Sequence, residues 1–205
     1  LAVICCIMNG CVNFSRRFYS EVLANPATAS PLVFPETVFN APSSHLSALL
    51  GSREANYTLV ADSAQFLAAF ELADLWLEAD EADAVLVVCS EEFDWLSAEA
   101  ATLLDRRVTV AEGAAAVVLE KGASSVAVTP PVLTSARRSR AAAARLVREA
   151  CRGVEGATLF DGLEATPTRA TALEAAAWAD FAGPRVSVKA TLGDGLGSSV
   201  GWQLV

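Results

Sequence analysis

The feature that most constrains this chain is an alternation: short apolar, β-branched runs are separated by longer stretches with helical spacing. The strand-like runs are LAVICCIM (1–8), YTLVA (57–61), AVLVVCS (84–90), AAAVVLE (114–120), VAVTPPVL (126–133), ATLFD (157–161), VSVKA (186–190) and GWQLV (201–205). Between them, the segment from Ser63 to Ala79 sets Phe66, Phe70, Ala73 and Leu77 at spacings of four, three and four, which predicts a helix with one apolar face. Ser135 to Cys151 and Thr168 to Ala179 are helical by composition. Runs that are apolar throughout suit strands covered on both faces, so the pattern predicts a layered α/β fold around a central mixed sheet. YTLVADSAQFLAAFELA and TLFDGLEATPTRATALEAAAW echo each other as strand, sharp turn and alanine-rich helix. Asn25 to Gly51 carries four of the eight prolines and reads as an ordered crossing loop leading into a short helix. No low-complexity linker divides the 205 residues, so a single domain over 1–205 is expected.

Bulk chemistry narrows the function. The chain is 53% hydrophobic, enough for a sizeable core, and its net charge of −9 argues against nucleic acid as a partner. No 18-residue apolar run exists, so no membrane span is expected. No basic segment precedes LAVICCIM, so it does not read as a signal peptide; the first residue is not methionine, and the natural start is expected upstream. The five cysteines, at 5, 6, 11, 89 and 151, lack CxxC spacing and read as reduced thiols of a cytoplasmic protein.

Few residues carry candidate chemistry. Ser63 falls where a strand gives way to a helix, a place where a nucleophile is exposed and helix N–H groups face developing negative charge. The competing reading makes Asp62 or Ser63 a helix cap. Cys89 ends a buried strand without an accompanying base and reads as a small core residue, as do Cys5 and Cys6. His45, the only histidine, reads as structural or interfacial. The run RRSRAAAARLVREACR gathers Arg137, Arg138, Arg140, Arg145, Arg148 and Arg152 on an acidic chain, either to meet an acidic partner or as a solvated helix face. The closing VSVKATLGDGLGSSVGWQLV surrounds Asp194 with glycines at 193, 195 and 197.

Taken in order, PETVFNAPSSHLSALLG, YTLVADSAQFLAAFELA, AVLVVCSEE, AEGAAAVVLEKG and VSVKATLGDGLGSS resemble a β-ketoacyl synthase of the thiolase fold, shortened relative to full members. The resemblance implies a thiolase-like layered α/β/α architecture and three catalytic positions. The family's cysteine, which takes an acyl chain from a carrier thioester, falls on Ser63. Its first histidine falls on Gly162, with Leu163 the neighbouring choice because Glu174 sits one place late for the family's helix glutamate. Its second histidine falls on Asp194, and its lysine is kept as Lys189. All three catalytic side chains therefore differ, and His45 lies upstream of the nucleophile turn. A serine needs a base to become a useful nucleophile, and a carboxylate beside an enolate repels the charge a histidine would stabilise.

The implied protein is similar to chain-length factors: a subunit of fatty-acid or polyketide-type biosynthesis that does not condense alone. It would pair with an active ketosynthase homologue, as hetero- or homodimer, through the strand at 57–61. It would hold no bound cofactor, the phosphopantetheine of an acyl carrier protein being the substrate arm. Arg137, Arg138, Arg140 and Arg145 are the expected carrier contacts. Two alternatives stand beside it: a Ser63-dependent acyltransferase acting on acyl-carrier thioesters, with Asp194 or Glu164 as base, and a non-catalytic acyl-binding scaffold.

Overall fold

A computed structural model describes residues 1–122, 126, 128, 140–151, 156–163 and 169–205, the side chains of 140, 141, 144, 169 and 170 excepted. Its centre is a four-stranded mixed sheet in the order β2–β1–β3–β4, formed by β1 (Ala2–Cys6), β2 (Asn56–Leu59), β3 (Ala84–Glu91) and β4 (Gly113–Glu120). β1 runs parallel to both neighbours, pairing Val3 with Asn56 and Ala2 with Val85. β4 returns antiparallel along β3 from Glu91↔Gly113 to Ala84↔Glu120. The mixed sheet is the one expected.

Burial follows position in the sheet. β1 is covered along its whole length, as its unbroken apolar run requires. The edge strands β2 and β4 are not covered on both faces: β2 is exposed at Asn56 and Tyr57, and β4 alternates. That corrects the expectation that every apolar run is a fully buried strand. In β4, alanines and valines spaced two apart satisfy a half-open strand equally well.

The helix α3 (Gln65–Glu78) lies on one face of this sheet. Phe66, Phe70, Ala73 and Leu77, the predicted face, are at most 6% exposed and pack on Ile4, Cys6, Val85, Val87 and Cys89. Phe66 and Phe70 meet edge to face at 5.3 Å. Burying such a stripe stabilises by roughly 2 kcal/mol for each large side chain, which outweighs any choice of cap. Indeed no side chain caps α3 itself; Asp62 Oδ1 accepts the N–H of Ala64 one turn earlier.

α1 (Val12–Ala24) leads into the proline-rich crossing, which holds a 3₁₀ turn at Phe34–Thr37 and then α2 (Ala41–Leu50). Proline in the first turn of α2 and Gly51 in the left-handed region after it punctuate that short helix. Ser43 anchors α2 to the sheet through Thr58 Oγ1 at 3.0 Å. α4 (Trp95–Leu104) starts from a reciprocal cap between Asp94 and Ser97.

The second half contributes α5 (Arg140–Ala150), β5 (Leu159–Asp161), α6 (Arg169–Ala177), β6 (Arg185–Ser187), α7 (Val188–Leu192) and α8 (Gly197–Leu204). β5 and β6 form a separate parallel pair. The predicted echo is thus realised as the two units β2–α3 and β5–α6. Arg148 locks α5 to α6, donating to Ala177 O and Asp180 Oδ2 at 2.7 Å each and lying over Trp178.

Two strand expectations fail at the C-terminal end. VSVKA leaves extended structure after Ser187, and Lys189 lies in α7. GWQLV is not a strand but the end of α8. The physical reason is contact. A Cβ on Gly201 would sit 2.3 Å from Cys89 Sγ and 2.7 Å from Ala115 Cβ, so the helix backbone lies directly on β3 and β4. Gly197 and Gly201, four apart, with Ser198 and Ser199, make a small-residue face that only close helix-on-sheet packing explains. The run VAVTPPVL falls almost wholly outside the described residues, as does 135–139 of the helix expected from Ser135.

Candidate functional site

β1, β2 and β3 are parallel, so the turns that leave their carboxyl ends share one edge of the sheet, where open α/β sheets place ligands. Three segments of interest lie there: Met8–Asn9 after β1, Asp62–Gln65 after β2, and Glu91–Glu92 at the end of β3. The start of α8 joins them.

Ser63 occupies the turn before α3 and is partly exposed. Among the described residues no basic side chain hydrogen-bonds to it, and the adjacent Asp62 carboxylate is engaged by the Ala64 N–H at 2.9 Å. Capping in this turn therefore belongs to Asp62, ahead of the helix proper. Two residues on, Gln65 is only 2% exposed, and its Oε1 accepts the Ala61 N–H at 2.6 Å.

The Asp194 loop is fixed by five contacts, one of them the Ser199 hydroxyl donating to Asp194 Oδ1 at 3.4 Å. Lys189 Nζ reaches Asp194 Oδ2 at 2.9 Å, with both side chains less than one-fifth exposed. Asp194 Oδ1 accepts the Leu196 N–H at 2.9 Å. The backbone of Asp194 pairs with the segment before β4, donating to Thr109 O at 2.7 Å and accepting from Ala111 N at 2.9 Å. Gly193, at φ +94°, makes that approach possible: a Cβ there would lie 2.7 Å from Thr109 O. The glycine-rich loop is therefore a seat for backbone packing, and its acid is neutralised by a lysine five residues away.

Gly162 follows β5 and donates its N–H to Glu174 Oε1 at 3.1 Å, which ties the turn to α6. That bond links Gly162, rather than Leu163, to Glu174. Leu163 instead donates to Asp161 Oδ1 at 3.1 Å. Asp161 pairs in register with Ser187, accepts its hydroxyl at 2.6 Å, and meets Arg185 at 3.3 Å. Gly162 and Lys189 thus leave the same end of the β5–β6 pair, and Gln203 of α8 donates to Asp161 O at 3.0 Å. α8 links the two sheets.

The sequence reading missed Glu91. It is 5% exposed and accepts the N–H groups of Met8 at 2.6 Å and Asn9 at 3.0 Å, with Gly197 N–H a further donor. Burial raises its pKa, and those N–H groups only partly oppose the rise. The signal available was a polar pair, Glu91-Glu92, closing a strand apolar from Ala84 to Cys89. Glu92 in turn accepts from Asn13 N–H at 3.1 Å, and Asn9 Nδ2 donates to Glu92 O at 2.7 Å.

The remaining candidates stand apart. Cys89 is buried, its thiol bonded to Ala115 O and its pKa raised by burial, which suits a packing residue. Burial pushes the Cys5 thiol up to about 12 and Cys6 higher still. His45 is exposed and paired with Glu36 at 2.9 Å. Arg137, Arg138, Arg152 and Glu164 lie outside the described residues, as does the side chain of Arg140; Arg145 is exposed on α5. An open groove along α1, lined by Asn13, Phe14, Arg16 and Arg17, holds none of the site residues. Among the described residues no group of histidine, cysteine or acid side chains could hold a metal ion, and no helix is long and apolar enough to cross a membrane.

Compared with known proteins, the chain matches no family model and no curated protein by sequence. Its structure, in contrast, superposes on solved ketosynthases. The ishigamide ketosynthase/chain length factor is 22% identical over 99% of this chain and 62% of its own, with a TM-score of 0.75. AntDE:AntF, a type II PKS acyl-carrier protein in complex with its ketosynthase bound to the hexaketide, gives 13%, 98%, 62% and 0.76. A β-ketoacyl synthase from Burkholderia phymatum STM815 gives 15%, 99%, 60% and 0.74. The chain adopts the thiolase-like layered α/β fold of β-ketoacyl synthases and chain-length factors, and it spans about three-fifths of the length of these structures.

Proposed function

We propose that the chain is a ketosynthase-like subunit of fatty-acid or polyketide-type biosynthesis that does not condense acyl units alone and serves as a chain-length-factor-like partner of an active ketosynthase. The observation that carries this reading is the Lys189–Asp194 pair. Where the resemblance expects a histidine to donate to an enolate, a carboxylate is closed by an ammonium and a backbone N–H. Such a group has no proton to give and would repel the charge that must be stabilised. Among the described residues no base hydrogen-bonds to Ser63, and Gly162 offers only backbone.

The edge strand β2 supports a partner. Its outer side is unpaired among the described residues, and Tyr57 and nearby Val60 are about half exposed. Unpaired edges with apolar side chains invite strand-to-strand association. Arg145 supports a carrier contact, in which a guanidinium would meet the acidic surface or pantetheine phosphate of an acyl carrier protein.

The test incubates the protein with acyl- and malonyl-loaded carrier proteins and reads intact mass, beside Ser63→Ala. No adduct on folded protein, together with co-purification with a complete ketosynthase, is expected. An adduct that vanishes in Ser63→Ala would overturn this reading in favour of acyl transfer through Ser63.

A further inference from the structure

At the junction of β1, α3, β3 and α8 one polar group has no partner. Gln65 Nε2 is buried and makes no hydrogen bond, while the Oε1 of the same side chain is committed to Ala61 N–H. That commitment fixes the amide orientation, because reversing it would set two donors face to face. A buried amide donor left unpaired costs free energy that native folds rarely leave uncompensated. Gly197 packs close against this group with no side chain between them. A Cβ there would lie 3.3 Å from Gln65 Nε2, 3.0 Å from Glu91 Oε1 and 3.7 Å from Met8 Cγ. Glu91 has its own donors in Met8 and Asn9. The free donor therefore sits at the start of a 14-residue helix, two residues from Ser63, at the carboxyl ends of three parallel strands.

We propose that Gln65 is the oxygen-binding group of this site, its Nε2–H donating to the carbonyl oxygen of an acyl thioester whose chain lies against the α3 N-terminus. The proposal rests on the ketosynthase-like reading above and adds the residue that recognises the carbonyl of an acyl chain. The ligand needs one acceptor oxygen and no charge. A carboxylate ligand fits less well beside Glu91.

The experiment compares two probes by calorimetric titration: S-octanoyl-pantetheine, and its thioether counterpart, which lacks the carbonyl. The wild-type protein is expected to prefer the thioester by about tenfold, the worth of one hydrogen bond. Gln65→Met abolishes that preference, so that the two probes bind equally. Gln65→Glu gives a preference that returns only at acid pH, where the introduced group is protonated and can donate. Gly197→Ala crowds Gln65 Nε2 and Glu91 and weakens the thioester. If the wild type binds both probes equally, or Gln65→Met keeps the preference, Gln65 is not the carbonyl donor, though acyl binding stands. If neither probe binds, the Gln65 proposal falls, while the partner-subunit reading is judged separately by co-purification with a ketosynthase.

Discussion

Two acids lie close to the candidate site, and the molecule treats them oppositely. Asp194 is held by a cation: Lys189 neutralises it, and both side chains keep some contact with water. Glu91 is held by backbone N–H groups alone and is almost sealed from water. The first arrangement is an ion pair that fixes a loop. The second is a knot on which three chain segments converge, because Met8, Asn9 and Gly197 all depend on one carboxylate. A knot of backbone donors is costly to cut, whereas a partly exposed ion pair is cheap to lose.

The sharpest way to break the contrast is Glu91→Leu. The partly buried N–H groups of Met8 and Asn9 would lose their acceptor, and the Gly197 N–H its carboxylate neighbour, at about 1 kcal/mol each, so a loss of at least about 3 kcal/mol is expected in urea denaturation. A loss under about 1 kcal/mol would mean that water replaces the carboxylate and that the knot is not structural. Gly201→Leu should come next, at about 3 kcal/mol, because the added side chain drives α8 off Cys89 and Ala115. Its midpoint shift should come with loss of the native environment of Trp202, whose ring lies beside Gly195 and Gly113, and near-ultraviolet circular dichroism reads that.

Asp194→Asn is the matching cut on the other side. It removes the charge opposite Lys189 but keeps an oxygen for the Leu196 N–H, so about 1 kcal/mol is expected. A cost equal to that of Glu91→Leu would erase the distinction drawn here. Salt sharpens it: the Asp194→Asn penalty should shrink toward zero in 1 M salt, and the Glu91→Leu penalty should not.

These regions were unequally legible. The face of α3 was readable because four residues at helical spacing leave no other period, and the core strands because their apolar runs are short and bounded. Lys189 and Asp194 were locatable, but not their contact, since α7 replaces an expected strand after Ser187. α8 was misread because Gly197, Ser198, Ser199 and Gly201 favour a turn locally and form a helix only against β3 and β4. Gln65 and Glu91 were invisible as a pair. Their relation runs through Gly197, far away in sequence, and no periodicity encodes it.

The smallest effect expected is one of slope. Burial raises the Glu91 pKa above its ordinary 4.5, so the folded state holds this proton more tightly than the unfolded chain does. Stability from this group is therefore present below pH 4.5 and lost as pH rises toward the raised folded value. Asp94 runs the other way. Hydrogen bonds from Ser97, with Arg16 adding to them, lower its pKa, so its contribution is present above the ordinary 3.8 and lost as pH falls. From about pH 4.5 upward the Glu91 slope should dominate the comparison with Glu91→Gln, in which it vanishes. Urea midpoints of the two proteins, measured at half-unit steps from pH 4 to 8, should lie closest at the acid end and part as pH rises, the wild type losing stability that Glu91→Gln does not lose. Parallel curves would mean that Glu91 stays ionised throughout, and the two acids would then differ in their partners but not in their protons.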